Sequence, residues 1–402
     1  MGQFALADLT VLDLSRAYAG PFCAMLLADM GATVIKIEDP TVPDFTRGLP
    51  PFGDGPPGEN SAYFAMLNRN KLGLTLNLKK AAAVTLFKQC VQQADIVIEN
   101  YRAGVMNRLG LSWPELHQIN PRLIMASLTC YGQDGPYAGR PGYDGMGQAM
   151  GGMCSVNGPA EGPPIRVGPP IGDSVCALYA TIGILIALHS RSTTGLGQWV
   201  DVSQQDALYS LLEAALATYL LKGEVLTRQG SRHLYVGPYD IFPCKDGYVF
   251  YAGYLDHHWR RTCELFGEPA LADHPELGSL QARSRPEALQ GVIYPKLLEW
   301  FSRHTKCELE ALCADEVPLC VVLDVGECTN DPQLNHREMV QSVDHPFMGT
   351  IRLPGIVTKL SATPGAICRP PPTLGQHTEE ILRQRLKLSA SQIQELRTEG
   401  AI

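Results

Sequence analysis

The sequence predicts an α/β protein built on a doubly wound, mostly parallel sheet with a second, smaller α+β domain. Short apolar strand candidates at Leu9 to Leu14, Ala32 to Ile37, Ile96 to Glu99 and Leu123 to Leu128 alternate with helical stretches, the order from which parallel sheets are made. The chain has 402 residues, more than one ordinary core accommodates, so two domains are expected. Beyond about Lys222 the alternation gives way to a hairpin signal followed by helices.

The opening reads strand, loop, helix, strand. Pro21 suits a first helical turn, and the helix runs to about Met30 before the strand from Ala32. Ala81 to Gln93 is helical and precedes the Ile96 strand. Pro40 to Asn60 and Tyr131 to Gly172 are dense in Gly and Pro, and loops this long inside a domain are usually functional. The apolar run Val175 to His189 is about fifteen residues, short of the roughly eighteen of a membrane span, and reads as a buried helix. Pro238 to Gly253 reads as a hairpin turning at Lys245-Asp246-Gly247, with helices near His258 to Phe266 and Glu287 to His304. Pro354 to Pro372 is irregular, and Thr378 to Gly400 returns to helix. The expected organisation is a large domain over 1–200, a linker over 201–224 and a small domain over 225–325. Residues 326–402 return to complete the large domain.

A formal net charge of -8 argues against a protein that holds nucleic acid, leaving small molecules or other subunits as partners. Twelve cysteines form no C-x-x-C pair, and the spacing of Cys307, Cys313, Cys320 and Cys328 fits no zinc template, so reduced thiols are expected. The histidines show no metal spacing either, and no metal is expected. Met1 to Asp13 has no basic region ahead of an apolar run, and Leu6 stands where myristoylation at Gly2 needs Ser or Thr. The expectation is a cytoplasmic protein with no membrane segment.

Glu38 ends the second strand where a ribose-binding acid would stand, but the turn Ser15-Arg16-Ala17-Tyr18-Ala19-Gly20-Pro21 has a single glycine where a dinucleotide fingerprint needs three. That site is excluded. Asp173, after Gly172 and before an apolar helix, stands at a helix N-terminus. Capping alone explains an aspartate there, and the same position favours an ionised carboxylate, which attacks an acyl carbon without a general base. Both readings stand. The glycine-rich run before it offers backbone N–H groups to an oxyanion, or simply turns. Within that run Tyr143 offers a hydrogen bond and Asp144 a second acid, unless both are surface or packing groups. Asn100-Tyr101-Arg102, with Arg108 beyond it, follows the Ile96 to Glu99 strand, where α/β sheets collect ligands, although it is equally a solvated loop; Leu76-Asn77-Leu78-Lys79 has the same ambiguity.

Taken in order, these strings resemble the family III coenzyme A-transferases, the group that includes formyl-CoA, carnitine and dicarboxylate CoA-transferases. The resemblance rests on V-L-D-L-S with A-G-P, A-T-V-I-K-I-E, D-F-T-R-G at Asp44 to Gly48, N-R-N-K at Asn68 to Lys71 and I-E-N-Y-R-A-G at Ile98 to Gly104. It continues through P-G-Y-D, I-G-D-S at Ile171 to Ser174, and T-L-G-Q-H-T-E-E-I-L at Thr373 to Leu382. The resemblance implies that Asp173 is the nucleophile, carrying a mixed anhydride and then an aspartyl-CoA thioester, with Tyr143, Asp144 and Tyr18 in support. It implies CoA contacts at Tyr18, Ala19, Leu76, Asn77, Leu78, Lys79, Asn100, Tyr101, Arg102, Arg108, Arg140 and Tyr143. It also implies a Rossmann-like large domain, an interlocked homodimer, and CoA as substrate with no permanently bound cofactor.

Two departures stand out. Asp39 occupies a place where some relatives set an arginine against the adenine end of CoA. No glycine-rich active-site loop is found in the small domain, where Gly230-Ser231-Arg232-His233 is the nearest candidate and receives no catalytic role. The rival reading is an α-methylacyl-CoA racemase, but racemases carry Gly-His-Asp where this chain has Gly142-Tyr143-Asp144, and a tyrosine with a pKa of about 10 is a poor base. A catalytically silent CoA-binding subunit is the second rival. Arg140 and Arg166 point to a second carboxylate on the acceptor, hence to small dicarboxylates.

Overall fold

The computed structural model describes residues 4–402; Gly2, weighed above for lipidation, lies outside them. Six strands form one parallel sheet: Thr10–Asp13 (β1), Thr33–Glu38 (β2), Lys71–Thr75 (β3), Ile96–Glu99 (β4), Ile124–Thr129 (β5) and Trp199–Ser203 (β6). Their order is β3-β2-β1-β4-β5-β6, so the winding reverses between β1 and β4 and a crevice forms beyond the tips of those strands. Side chains alternate across the sheet. Val11, Val34, Ile96, Ile98 and Ile124 pack with the helices Ala19–Asp29 and Ile171–Thr194. Leu12, Ile35, Val97 and Met125 pack on the other face with Ala81–Val91, Trp113–Ile119, Thr378–Gln384 and Ala390–Thr398.

Four of these strands match the sequence reading within a residue or two, while β3 and β6 escaped it. β3 reads Lys-Leu-Gly-Leu-Thr and carries a buried lysine and a glycine in place of an apolar run. β6 is an edge strand whose Trp199 and Asp201 face outward, leaving little apolar signal. The stretch 201–224, expected as a linker, holds the end of β6 and the helices Gln204–Tyr209 and Glu213–Lys222. The run Tyr131 to Gly172, expected as a loop, contains the helices Asp144–Met150 and Met153–Val156. Thr378 to Gly400 is two helices rather than one, separated where Lys387 adopts a positive φ of 57°.

The Ile171–Thr194 helix is longer than its apolar run suggested, and by length and composition alone it is able to cross a membrane. It is buried on one side rather than throughout as the sequence suggested: Cys176, Ala177, Ala180, Ile184 and Ala187 pack against the sheet. Its other side leaves Leu178, Ile182, Leu185 and Ile186 exposed.

The chain divides into two compact units. The first comprises the chain up to Met153, Val167–Leu211 and Pro332–Ile402; the second comprises Cys154–Arg166 and Leu212–Asp331. In the second, Asp240–Cys244 (β7), Gly247–Tyr251 (β8) and Leu319–Val321 (β9) form an antiparallel sheet over a core containing Phe242, Tyr251, Trp259, Trp300 and Phe301. The β7–β8 hairpin turns at Lys245-Asp246, as read from the sequence. A second hairpin, Val340–His345 (β10) with Gly349–Pro354 (β11), belongs to the first unit and had no clear sequence signal.

Buried ion pairs tie the first three strands and their loops together. Lys71 Nζ donates to Asp13 Oδ2 (2.8 Å), Pro21 O (2.9 Å) and Asn68 Oδ1 (2.9 Å), using all three of its protons. Lys36 Nζ donates to Asp44 Oδ2 (3.0 Å) and to Ser15 O (2.8 Å). Glu38, the acid considered for a ribose, is held by Arg47 at 2.7 Å. Burial pushes Asp13 up, yet Lys71 and Lys36 together hold it below the usual carboxylate range.

Candidate active site

Asp173 is the third residue of the Ile171–Thr194 helix, which begins after Pro170, so it is not the cap. Capping falls to Asp144. Its Oδ1 accepts from the backbone N–H of Gly172 at 2.7 Å and of Asp173 at 3.3 Å, while Oδ2 accepts from Gln148 Nε2 at 2.7 Å. The two carboxylates therefore share one helix end, and Asp144 takes N–H groups that were expected for an oxyanion. Two glycines here permit close packing: a Cβ on Gly172 would lie 3.1 Å from Asp144 Oδ1, and one on Gly147 would lie 2.7 Å from Gln204 Oε1.

Asp173 was expected to be fully ionised. Burial first, then the Asp144 carboxylate, push it from 3.8 up to about 7. The physical reason is a matter of size. A helix end contributes roughly 0.3–1 kcal/mol to a carboxylate, whereas each pKa unit represents about 1.4 kcal/mol. Burial and like charge outweigh the dipole, and near neutral pH the carboxyl is poised between its two forms. No cation relieves it: among the described residues the charge acting on Asp173 is that of Asp144.

Three neighbours complete this cluster. Gln204, the first residue of the Gln204–Tyr209 helix at the tip of β6, donates from Nε2 to Asp173 Oδ1 at 2.6 Å. Ser174 Oγ donates to Pro170 O (3.0 Å) and lies 3.3 Å from the hydroxyl of Tyr18, which precedes the Ala19–Asp29 helix. Tyr63 is raised by burial and then by the charge of Asp173. Tyr18 and Tyr63 also line an apolar cavity with Phe22, Met25, Met66 and Met339. Sequence reasoning missed Gln204 and Tyr63. Gln204 was reachable, because it is the first residue beyond a strand tip, but only once β6 was recognised as a strand.

The expected CoA contacts fall into separate groups. Leu76, Leu78, Lys79 and Tyr101 line one cleft beyond the tips of β1 to β4, together with Arg16 and Asp39. Ala19 is buried in its helix. Asn77 sits beside this cleft in sequence, its Oδ1 accepting from Lys79 N at 3.2 Å. Asn100 is engaged by the β1 loop: its Oδ1 accepts from Arg16 N (2.8 Å) and its Nδ2 donates to Arg16 O (2.6 Å). Asp39 is pushed up by burial, but hydrogen bonds from Thr41 and Val42 and the charge of Lys79 hold it below the usual range. Arg102 lines a different, polar cavity with Glu99 and Gln133, where burial raises Glu99 to about 7. Arg108 is exposed, Arg140 lies over the Tyr137 ring at 4.0 Å, and Tyr143 is 64% exposed. Among the described residues no cluster of three His, Cys, Asp or Glu side chains is arranged to hold a metal.

The parallel sheet of this order thus sets a pair of carboxylates at a helix start and a cleft at its strand tips. The sequence profile of CoA-transferase family III matches residues 6–378, and the chain belongs to that family and is a CoA-transferase. It is 38% identical to the succinyl-CoA:mesaconate CoA-transferase of Haloarcula marismortui, over 94% of this chain and 96% of that protein. It is 35% identical to the succinyl-CoA–D-citramalate CoA-transferase of Chloroflexus aurantiacus, over 99% and 98% respectively. The crystal structure of a CAIB/BAIF family protein from Brucella suis superposes with a TM-score of 0.85 at 32% identity, covering 95% of this chain and 100% of that one.

Proposed function

We propose that this enzyme moves CoA from succinyl-CoA or a similar acyl-CoA to a small dicarboxylate, with Asp173 as the covalent carrier. One Asp173 oxygen, Oδ2, attacks the acyl carbon of the donor, the carbon–sulfur bond breaks, and CoA departs as thiolate from a mixed anhydride. The thiolate then adds to Cγ of Asp173 and expels the donor acid, leaving an aspartyl-CoA thioester. An acceptor carboxylate repeats the sequence in reverse: it displaces the thiolate at Cγ, and the thiolate attacks the acceptor's acyl carbon to release acyl-CoA and free Asp173. No net proton is consumed, so no general base is required.

The observation that carries this reading is the cation-free acid pair at the helix start, with Asp173 poised at about 7. A carboxylate without a counter-ion keeps its electron pair available to an acyl carbon. The acceptor class is supported by the names of the relatives, which act on mesaconate and D-citramalate, both dicarboxylates. The cleft of Leu76, Leu78, Lys79 and Tyr101 suits the nucleotide end of CoA, with Arg16 and Lys79 available to phosphate and Asp39 shaping the adenine end. Tyr18, Ala19, Asn77, Asn100, Arg102, Arg108, Arg140 and Tyr143 remain assigned to CoA as the family resemblance implies. The exposed apolar side of the Ile171–Thr194 helix, and Leu220 and Leu221 at 70% and 82% exposure, support an interlocked homodimer that covers them.

The test is incubation of pure enzyme with succinyl-CoA and a panel of mesaconate, citramalate, malate, glutarate and monocarboxylates. New thioesters of the dicarboxylates are expected. Solvent deuterium entering the α-carbon of a branched acyl-CoA, without any thioester exchange, would establish a racemase instead.

A further inference from the structure

We infer that Gln204 is a second catalytic residue, whose Nε2–H stabilises the oxyanion formed on Asp173 Oδ1 whenever CoA is loaded onto that side chain or removed from it. The inference rests on Asp173 as the carrier. Two of the four acyl-transfer steps take place at Cγ of Asp173 itself. In each, the incoming thiolate or carboxylate adds to Cγ, the carbonyl π pair moves onto Oδ1, and collapse of that alkoxide expels the donor acid or the thiolate. Oδ1 thus passes from a nearly neutral carbonyl oxygen to a full negative charge and back. A donor already in place on that atom binds the intermediate more strongly than the acyl-enzyme, which is the condition for accelerating the step.

The geometry selects Gln204 for this role. Ser203 caps the Gln204–Tyr209 helix through a 3.0 Å bond from Asp206 N, which fixes the direction in which Gln204 leaves the tip of β6. The side chain is 6% exposed, and its Nε2 stands 2.6 Å from Oδ1. Its Oε1 is buried without a hydrogen-bond partner. An orphaned buried carbonyl costs about 1–3 kcal/mol, and an apolar side chain of similar length would avoid that cost. The opposite amide orientation would bring two oxygens to 2.6 Å against an ionised carboxylate. The same contact also distinguishes the two Asp173 oxygens: Oδ1 is held, and Oδ2 is the one left to attack.

The experiment uses the full-length enzyme mixed with succinyl-CoA alone, quenched over time and weighed intact by mass spectrometry, then chased with mesaconate. Gln204→Met keeps length and removes the donor. Loading and discharge of the CoA adduct are expected to slow by about 10²-fold, with acyl-CoA hydrolysis rising relative to transfer because the mixed anhydride waits longer. The KM for acyl-CoA and the melting temperature are expected to stay near wild type. Wild-type adduct kinetics in a folded Gln204→Met enzyme would overturn the role of Gln204 and leave Asp173 standing; absence of any adduct on the wild type would remove the carrier and this inference with it. Should Gln204→Met not fold, Gly147→Ala decides, since its Cβ presses on Gln204 Oε1: slowed loading supports the inference, and unchanged loading refutes it.

Discussion

Along β1 to β3 four buried carboxylates face a cation: Asp13 with Lys71, Asp44 with Lys36, Glu38 with Arg47 and Asp29 with Arg69, all at 2.7 to 3.0 Å. At the start of the Ile171–Thr194 helix, Asp173 and Asp144 face one another, and backbone N–H groups and two glutamine amides are their partners. The first arrangement spends charge on shape. Matched pairs stay ionised, use up their hydrogen-bonding capacity and hold the loops that frame the crevice. The second leaves charge unmatched, so its cost appears as a raised pKa and as an oxygen free to react. A missing counter-ion raises a buried acid wherever it occurs, at Glu99 as at Asp173; what sets Asp173 apart is the second carboxylate beside it at the helix start.

The comparison breaks most visibly at Asp173. Asp173→Asn is expected to lower CoA transfer by roughly 10⁴-fold or more, as loss of a nucleophile does, measured by thioester exchange. At the matched site Lys71→Met is expected to cost about 3–5 kcal/mol, because it strands Asp13 without its cation, measured by denaturant unfolding. The same Asp173→Asn change should have the opposite sign on stability. The folded pKa is raised from 3.8 to about 7, so the native state holds the proton more tightly than the unfolded chain and the group subtracts stability as pH climbs between those values. Removing it should stabilise the protein by about 1–3 kcal/mol near pH 8, and by almost nothing near pH 3.5, after allowance for partial exposure. The smallest effect concerns pH. Loading of Asp173 should decline below a pH of about 7 as the carboxyl protonates. Asp144→Asn, which keeps an acceptor for Gly172 and removes the neighbouring charge, should move that decline toward lower pH; a profile that stays in place would assign the shift to burial alone.

The sheet was legible where apolar strands are flanked by turns: β2, β4 and β5 each carry three or more apolar residues in a short run, and β1 carries Val11 and Leu12 between Leu9 and Leu14. β3 hid because its first residue is a lysine neutralised by an aspartate on another strand, a partnership that no local pattern reveals. β6 hid because an edge strand with an outward Trp199 and Asp201 resembles a loop. At the site, Asp173 was legible as the acid before an apolar helix, but its neighbour's role was inverted. Asp144 lies 29 residues upstream and caps that helix through space, so the capping signal pointed to the wrong aspartate. The raised pKa was invisible for the same reason, since a sequence shows the helix end but not the second carboxylate or the burial. Gln204 required knowing which strand tips converge.

The central claim is that Asp173 exchanges its own oxygen with the acids it serves. Enzyme turned over with succinyl-CoA and a heavy-oxygen-labelled dicarboxylate, then digested and weighed peptide by peptide, tests it directly. The account predicts heavy oxygen in the Asp173 side chain and in no other residue. Complete turnover with that peptide unlabelled, or with the label on a different side chain, would contradict it.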